Sequence, residues 1–431
     1  MTLQQVGERL RSSLWFVPAL FALGAFLLAL VTLAIDDGLS PEPGQLFFLY
    51  GGSSEGARSM LSTIAQSMLT FTGLVFTITM LVLQLASSQL SPRVMRTFLR
   101  DRGNQVVLGL FVATFVYTLA VLRDVRTSVN GDEGFVPGLS IWIAFTLLLA
   151  SVGAFIYYID HMAHAIRANA VISSIAKECE QALDRLYPER AAQGKPERPA
   201  LGAIPASLVL KARRAGVVVG VDEARLLAVI ESADRRAELA FAVGDFVPFG
   251  SALVRLSGRW DRDAAEEVYK AITLGDERTL QQDAAFGFRQ LVDVAMRALS
   301  PGTNDPTTAV QALDRLHDLL RRLVEREIPS PNRADATGVV RLVAPRPGWN
   351  EYVELAIDEI RLAGEGQLQV ARHLRHMLTD LLEVAPPHRQ AVLRRELKLT
   401  NSGAARSFAE PEDAAAGDSP ASATNAPSRS G

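Results

Sequence analysis

Residues 14 to 35 read LWFVPALFALGAFLLALVTLAI and contain no charged side chain. A helix needs about 20 apolar residues to cross the hydrocarbon core of a bilayer, so this run predicts a membrane-spanning helix. Trp15 near its start and Asp36 after its end are typical of the water-facing ends of a span. A cleaved signal peptide is the alternative. It is disfavoured because its apolar region is normally about 7–15 residues long and no small-x-small cleavage site precedes Asp36.

Three further apolar runs follow, at about residues 61–85, 105–122 and 139–159. None of them contains Asp, Glu, Lys or Arg. They could instead form the buried core of a soluble helical protein, but four such helices would leave little polar surface to face water. The sequence therefore predicts a four-helix transmembrane domain over residues 1–160, in direct contact with the lipid bilayer.

The overall composition hides this domain and excludes several kinds of protein. Hydrophobic residues make up 48% of the 431 positions, which is ordinary for a globular protein, because Arg and Glu dilute them after residue 160. The formal net charge of -3 gives no reason to expect a nucleic-acid partner. A single cysteine, Cys179, excludes an intramolecular disulfide framework and a zinc cluster built from cysteines.

The basic residues of the loops predict the orientation, because cytoplasmic loops retain Lys and Arg. Six arginines carry this signal. Two precede the first span, namely Arg9 and Arg11, and four lie between the second and third spans, namely Arg93, Arg96, Arg100 and Arg102. The connection between the first and second spans is mainly acidic. The third-to-fourth connection fits less well, because its acidic and basic residues are balanced. We expect a multi-pass protein of the plasma membrane with both termini in the cytoplasm.

The second span carries polar and small residues at spacings of three, four and seven, so they share one helical face. We call this face the polar stripe; it consists of Thr63, Gln66, Thr70, Gly73, Thr77, Gln84 and Ser88. Hydroxyls and amides are costly in hydrocarbon unless they are hydrogen-bonded. Two interpretations stay open, namely packing against other helices and lining of a water-filled path. The absence of ionisable residues from the spans argues against a proton relay or a charged-substrate carrier.

The rest of the chain predicts a mainly α protein whose cytoplasmic part is an α+β domain. Residues 161–206 indicate a helix and a linker, and residues 207–258 indicate a small antiparallel β unit of short strands. Residues 259–399 follow a helical pattern, which gives a helical domain. Residues 400–431 are rich in Ala, Ser, Pro, Glu and Gly, which predicts a disordered tail.

The most unusual stretch of the soluble part is SPGTNDP, residues 300–306, between two helical patterns. Chain reversal explains it, because Gly302 suits a turn, Asp305 is a good N-cap and Pro306 suits the first helical position. The alternative is a ligand or gating contact, since the turn presents hydroxyls and amides at a helix N-terminus. The candidate residues of this turn are Ser300, Gly302, Thr303, Asn304 and Asp305.

No motif points to an enzyme, a cofactor or a metal. His161 and His164 share a helical face after Asp160, but no third strong ligand is near, so metal binding is the minor interpretation. Acidic residues at 283, 293 and 305 could form a cation or acid/base site. No Ser-His-Asp, phosphate-loop or zinc-protease spacing supports such chemistry.

Several of these features together resemble a bacterial family of predicted membrane proteins that is named only as a domain of unknown function. The features are the four-span start, QLxSxQLSPR at residues 84–93, GDFV at residues 244–247 and SPGTNDP at residues 300–306. The resemblance covers about residues 10–395. It implies only a membrane protein without assigned activity, and it carries no catalytic residue onto this chain.

Two classes of function remain. The first is an oligomeric, channel-like or pore-forming protein, in which several copies bring their polar stripes together and the soluble domain forms a vestibule or gate. The second is a non-conducting membrane scaffold or sensor, whose soluble domain binds a partner or a small ligand. The oligomeric state separates the two, because a monomer with a packed stripe favours the scaffold.

Overall fold

The computed structural model describes residues 15–39, 53–89, 102–126, 135–165, 167–187, 207–335 and 337–407. The chain divides into two compact units, residues 1–170 and residues 171–431, which are described separately here. Helices dominate both units, and strands occur in the second, so the predicted fold class is confirmed.

The first unit contains four helices that are long and apolar enough to cross a membrane. They are α1 (Phe16–Leu39), α2 (Ser54–Gln89), α3 (Arg102–Asp124) and α4 (Gly138–Ala165). Each predicted span lies within one of these helices apart from a residue or two at the start of the first. Helix α2 begins at Ser54, before the start of the predicted span. Its first turns are polar, and the apolar pattern indicates only the membrane-spanning part of a helix.

Helix α1 continues past Asp36, where the sequence placed the end of the span. The Asp36 carboxylate accepts hydrogen bonds from the backbone N–H groups of Leu139 at 3.0 Å and Ser140 at 2.9 Å. It also accepts one from the Ser140 hydroxyl at 2.7 Å. These donors belong to the first turn of α4, which has no acceptors of its own for them. Asp36 thus caps a different helix, and this contact supports the last turn of α1.

Aromatic side chains form the centre of the first unit. Phe71 of α2 stacks on Phe155 of α4 with 4.8 Å between ring centroids, and Phe111 of α3 lies beside both. Tyr117 is fully buried, and its hydroxyl lies 2.9 Å from the Thr32 hydroxyl. This bond between α1 and α3 satisfies two hydroxyls that the bundle buries.

The second unit begins within α5 (Ala168–Leu186) and contains two small sheets. Its strands are β1 (Leu208–Lys211), β2 (Gly216–Val221), β3 (Ala237–Leu239), β4 (Phe246–Val247), β5 (Ala252–Leu256), β6 (Ile272–Gly275), β7 (Asn332–Ala334) and β8 (Val340–Val343). The first sheet has the order β1-β5-β3-β8-β7, and the second has the order β4-β2-β6. All pairs are antiparallel except β3 with β8.

The ranges predicted as a β unit, 207–258, and as a helical domain, 259–399, both contribute strands to the two sheets. Strands β6, β7 and β8 come from the second range: β6 pairs with β2, β8 pairs with β3, and β7 pairs with β8. They are three or four residues long, too short for an alternating pattern to show. The parallel pair β3–β8 joins residues about a hundred positions apart, and no local pattern predicts such a pair.

Helices cover much of this unit. They are α6 (Glu223–Ser232), α7 (Arg262–Lys270), α8 (Ala284–Ala298), α9 (Pro306–Val324), α10 (Trp349–Ala363), α11 (Leu368–Val384) and α12 (Gln390–Ser407), with a 3-10 turn at Pro387–Arg389. Helix α12 runs into the predicted tail, because Thr400 and Ala404 are buried. Residues 408–431 lie outside the described part of the chain.

Helices α5 and α8 approach closely at Gly287. A Cβ atom on Gly287 would lie 2.5 Å from the sulfur of Cys179, so no larger residue fits without a shift. Cys179 is fully buried, and this burial raises the pKa of its thiol well above the usual range. The lone cysteine is therefore a packing residue, because reactivity requires an accessible thiolate.

Candidate functional site

The polar stripe lies on the outside of the four-helix unit. Six of its seven positions are exposed, namely Thr63, Gln66, Thr70, Gly73, Thr77 and Gln84. The side chain of Ser88 lies outside the described part of the chain. At Gly73 an added Cβ atom would meet no atom within 4 Å, so no neighbouring helix approaches the stripe there.

The threonines of the stripe bond back to their own helix. The Thr63, Thr70 and Thr77 hydroxyls donate to the backbone carbonyls four residues earlier, at 2.8, 3.0 and 2.9 Å. The side-chain amides of Gln66 and Gln84 have no such bond to the described residues. Back-bonding satisfies a hydroxyl without a partner helix, but an amide has more donors and acceptors to satisfy.

The opposite face of α2 behaves differently. The Thr79 hydroxyl bonds to its own helix and also lies 2.8 Å from the Tyr158 hydroxyl of α4. Thr114 and Ser151 make a similar contact between α3 and α4 at 3.0 Å. Some polar groups that face the bundle thus reach another helix, whereas the described side chains of the stripe do not. Packing within the described part of this chain therefore does not account for the stripe.

The second unit contains a cavity of about 300 Å³ that the sequence did not reveal. It lies beside the end of β2, the start of α8 and the segment that leads into α10. Its walls are mostly apolar, and its polar lining includes Tyr187, Glu223, Asp283, Arg346 and Tyr352. These residues come from four separate parts of the chain, so only the fold brings them together.

Asp283 is fixed by two sets of contacts at the cavity wall. Its carboxylate caps α8 by accepting from the backbone N–H of Phe286 at 3.1 Å, and it pairs with the Arg278 guanidinium at 2.7 and 3.1 Å. Gly244 packs against this pair with a φ of +98°, and a Cβ atom there would lie 2.4 Å from Asp283 Oδ2. Gly244 therefore has both a conformational and a steric reason to be glycine.

Glu223, the first residue of α6, holds two arginines. Its carboxylate accepts from Arg333 at 2.7 Å and from Arg346 through a shorter contact. Burial lowers the pKa of the Arg346 guanidinium from its ordinary value, and the nearby Arg333 charge also lowers it, whereas Glu223 acts in the opposite direction. The Nε atom of Arg346 is buried and has no hydrogen-bond partner among the described residues.

Two tyrosines complete the polar wall. The hydroxyls of Tyr187 and Tyr352 lie 2.8 Å apart, and the two residues are only 5% and 1% exposed. Burial raises the pKa of both phenols, so both stay protonated at neutral pH. Two hydroxyls share one hydrogen bond, which uses one of their two protons. The other proton remains available to a third group.

The SPGTNDP stretch forms the turn between α8 and α9. Asp305 caps α9, as the sequence predicts, by accepting from the backbone N–H of Thr308 at 3.1 Å and from its hydroxyl at 2.6 Å. Asn304 has a φ of +46°, and its side-chain carbonyl accepts from Gln367 at 3.0 Å. The Ser300 hydroxyl donates to the Arg297 carbonyl at 2.7 Å.

This turn and the cavity lie at opposite ends of α8. The cavity is at the helix N-terminus, and the turn follows its C-terminus, about 22 Å away for a helix of 15 residues. The turn residues are therefore not part of the cavity, and their hydrogen bonds fit chain reversal. A ligand or gating role for Ser300, Gly302, Thr303, Asn304 and Asp305 stays a prediction.

We expect Asp305→Ala to lower the free energy of unfolding by about 0.5–2 kcal/mol, because α9 loses its cap. Asp305→Asn is the control, since asparagine also caps. Hydrogen bonds from Thr308 lower the pKa of Asp305, so its stabilisation is present above an unfolded pKa of about 3.9 and is lost as the pH falls through the lower folded value. Urea unfolding of the detergent-solubilised chain measures this. Unchanged stability with loss of a membrane activity would favour the ligand interpretation.

The other sequence candidates do not converge on one site. Asp293 pairs with Arg289 at 2.7 Å, so the three acids at 283, 293 and 305 each serve a different local partner. The His161 ring stacks on Tyr157 at 5.5 Å. Within the described ranges, no three metal-ligating side chains meet.

Comparison with known proteins identifies the family of the chain. Residues 11–380 match the family described as "Predicted membrane protein (DUF2254)". The chain belongs to this family. Similar proteins are an uncharacterized protein of Mycobacterium bovis and ones of two strains of Mycobacterium tuberculosis, each 31% identical over 421 residues. The alignments cover 95% of this chain and 79% of each relative. No solved structure matches the chain.

Membership in the DUF2254 family confirms the resemblance seen in the sequence. The matched range includes the four apolar helices, the cavity residues and the turn at residues 300–306. The family description agrees with the four helices in making this chain a membrane protein, in contact with lipid along its first unit.

Proposed function

We propose that the protein is an oligomeric, channel-like membrane protein in which the polar stripes of several copies line an aqueous path. One observation supports this more than any other: Thr63, Gln66, Thr70, Gly73, Thr77 and Gln84 are exposed on a helix that lipid would otherwise surround. In the proposed oligomer, water and the stripes of neighbouring copies would provide the hydrogen-bond partners that the described helices of one chain do not.

The energetic argument concerns the glutamines. An amide without a hydrogen-bond partner in hydrocarbon costs several kcal/mol, whereas an amide in water or against another amide costs little. Gln66 and Gln84 lie on the same face about five turns apart, so a single contact at one end of α2 would not satisfy both. Symmetric assembly along this face would satisfy the whole stripe.

Ions can pass a neutral stripe if the path is wide enough to hold water. Such conduction does not need a fixed charge within the spans. The soluble domain then has the role of a vestibule or gate that supplies charge at the mouth of the path. The loop arginines support a cytoplasmic location for this domain and for both termini, at the bacterial inner membrane.

Cysteine labelling in intact cells tests this orientation. We expect Phe98→Cys, in the arginine-rich connection, and Phe249→Cys, which is exposed in the soluble unit, to resist a membrane-impermeant maleimide. Both should react after the cells are permeabilised. The native Cys179 is buried and should contribute little background. Labelling of either engineered cysteine in intact cells would reverse the assignment.

Two measurements on the purified protein test the proposed function. Light scattering in detergent should give a mass of several copies, and reconstituted protein should carry current across a planar bilayer. A stable monomer, or no current over a wide range of voltage, salt and tension, would defeat the channel proposal.

The alternative is a non-conducting scaffold or sensor whose soluble domain binds a partner or a small ligand. The cavity beside Tyr187 and Arg346 favours this alternative, because its volume lies at the lower end of the range of small-molecule sites. If current is absent while the protein remains folded, this alternative becomes the better account.

A further inference from the structure

The charged residues around the cavity are unequal in number. Three guanidiniums and two carboxylates form a set of ion pairs in two groups: Arg278 pairs with Asp283, and Arg333 and Arg346 both pair with Glu223. Both carboxylates already accept from arginines, and Asp283 also caps a helix. The set therefore has one net positive charge, and its acidic members have little remaining capacity to hold a cation.

Unused hydrogen-bond donors lie in the same place. Among the described residues, Arg346 donates to Glu223 alone, although a guanidinium has five N–H groups. The buried pair Tyr187–Tyr352 has one hydroxyl proton to spare. Buried donors without acceptors are costly, so these groups are arranged to receive an acceptor from outside the chain.

Apart from Gln282, whose side-chain carbonyl accepts from the backbone N–H of Val221 at 2.9 Å, the remaining wall is apolar. It is formed mainly by Leu186, Val221, Leu239, Phe241, Val243, Pro345 and Pro347. An inorganic anion would not cover these apolar side chains, which would then remain in contact with water. A ligand with an apolar body would cover them and would place its charged end at the donors.

We propose that this cavity binds a small organic carboxylate with an apolar body, whose carboxylate accepts hydrogen bonds from Arg346 and from the spare hydroxyl of the Tyr187–Tyr352 pair. A planar monoanion matches the single net charge and the planar guanidinium. A phosphate dianion carries more charge than the set balances. This inference specifies the ligand class of the sensor alternative, and it does not depend on conduction.

The electrostatics of Arg346 agree with this ligand. Burial and the neighbouring Arg333 charge lower the pKa of its guanidinium, against the opposing effect of Glu223. A second anion beside Arg346 would further stabilise the charged guanidinium. Charge-assisted hydrogen bonds are strong in a partly buried site of this kind.

Isothermal titration calorimetry of the full chain in nanodiscs of neutral lipid tests the proposal with benzoate as the probe. We expect saturable binding of benzoate. Its neutral analogue benzamide should bind about tenfold more weakly or worse, and inorganic phosphate should not bind, because the site pairs one planar charge with an apolar body.

Two substitutions and their controls assign the binding to these residues. Arg346→Gln should weaken benzoate binding about tenfold or more, and Tyr187→Phe should weaken it several-fold. Arg213→Gln and Tyr269→Phe change an exposed arginine and a half-buried tyrosine that stack at 4.0 Å outside the cavity, and both variants should bind benzoate as the wild type does.

Circular dichroism shows which variants are folded. If Arg346→Gln does not fold, Tyr187→Phe decides the question, because it removes only a hydroxyl. The proposal fails if the wild type shows no saturable benzoate binding, if benzamide binds equally well, or if the folded cavity variants bind like the controls. Calorimetry measures ligand binding and not current. The result for benzoate therefore stands whether or not the protein conducts ions.

Discussion

Thr77→Leu is expected to reduce the current of the reconstituted protein to the level of a protein-free bilayer. Thr77 lies in the middle of the exposed stripe, and a symmetric oligomer would place one leucine per copy at the same level of the path. A ring of leucines narrows the path and expels water from it, which blocks ions even before the path closes. Single-channel recording in planar bilayers measures the effect.

Thr146→Leu is the matched control. Thr146 is also exposed on a membrane helix, and its hydroxyl also donates to the carbonyl four residues earlier, at 3.0 Å. It belongs to α4 and lies outside the stripe, so its replacement should leave the current unchanged. If both variants conduct like the wild type, Thr77 does not line a path, and the stripe is an interface for packing alone.

Arg389→Met is expected to destabilise the soluble unit by about 3–5 kcal/mol. Arg389 is 3% exposed, and its Nη1 atom donates to the carbonyls of Leu323, Val324 and Arg326 at 2.9–3.0 Å. These carbonyls end α9 and its following turn, where no intrahelical donor is available. Methionine fills similar space but donates nothing, so three buried acceptors would lose their bonds.

Urea unfolding of the detergent-solubilised chain checks this value. Arg394→Met is the control, because Arg394 is exposed on α12 and donates only to Gln390 among the described residues, at 2.6 Å. A surface substitution of this kind should change stability by less than about 0.5 kcal/mol. Equal midpoints for the two variants would mean that water reaches the α9 carbonyls and that Arg389 is not needed there.

The four membrane helices were predictable because their signal is local. A run of about 20 apolar residues without charge is incompatible with water over its whole length, whatever lies elsewhere in the chain. The cap at Asp305 was predictable for the same reason, since an N-cap bonds to a backbone N–H only three residues away. The boundaries were less predictable, because Asp36 supports the end of α1 through a bond to α4.

The sheets show where local patterns stop being sufficient. Strand β8 has four residues and pairs in parallel with β3, far away in sequence. Its sequence does not specify a partner, because pairing depends on which strand edges the helices leave uncovered. The sequence therefore showed that strands exist near residues 208–256 and missed the strands that complete the sheets.

By itself, the sequence determined that this is a membrane protein with four spans, one polar helical face and a sharp turn at SPGTNDP. Each of these features rests on spacing along one helix or one turn. The tertiary structure decided that the polar face points outward, and it built the cavity from Tyr187, Glu223, Asp283, Arg346 and Tyr352. The physical reason is that orientation and cavity both depend on contacts between residues distant in sequence, and periodicity within one segment does not encode such contacts.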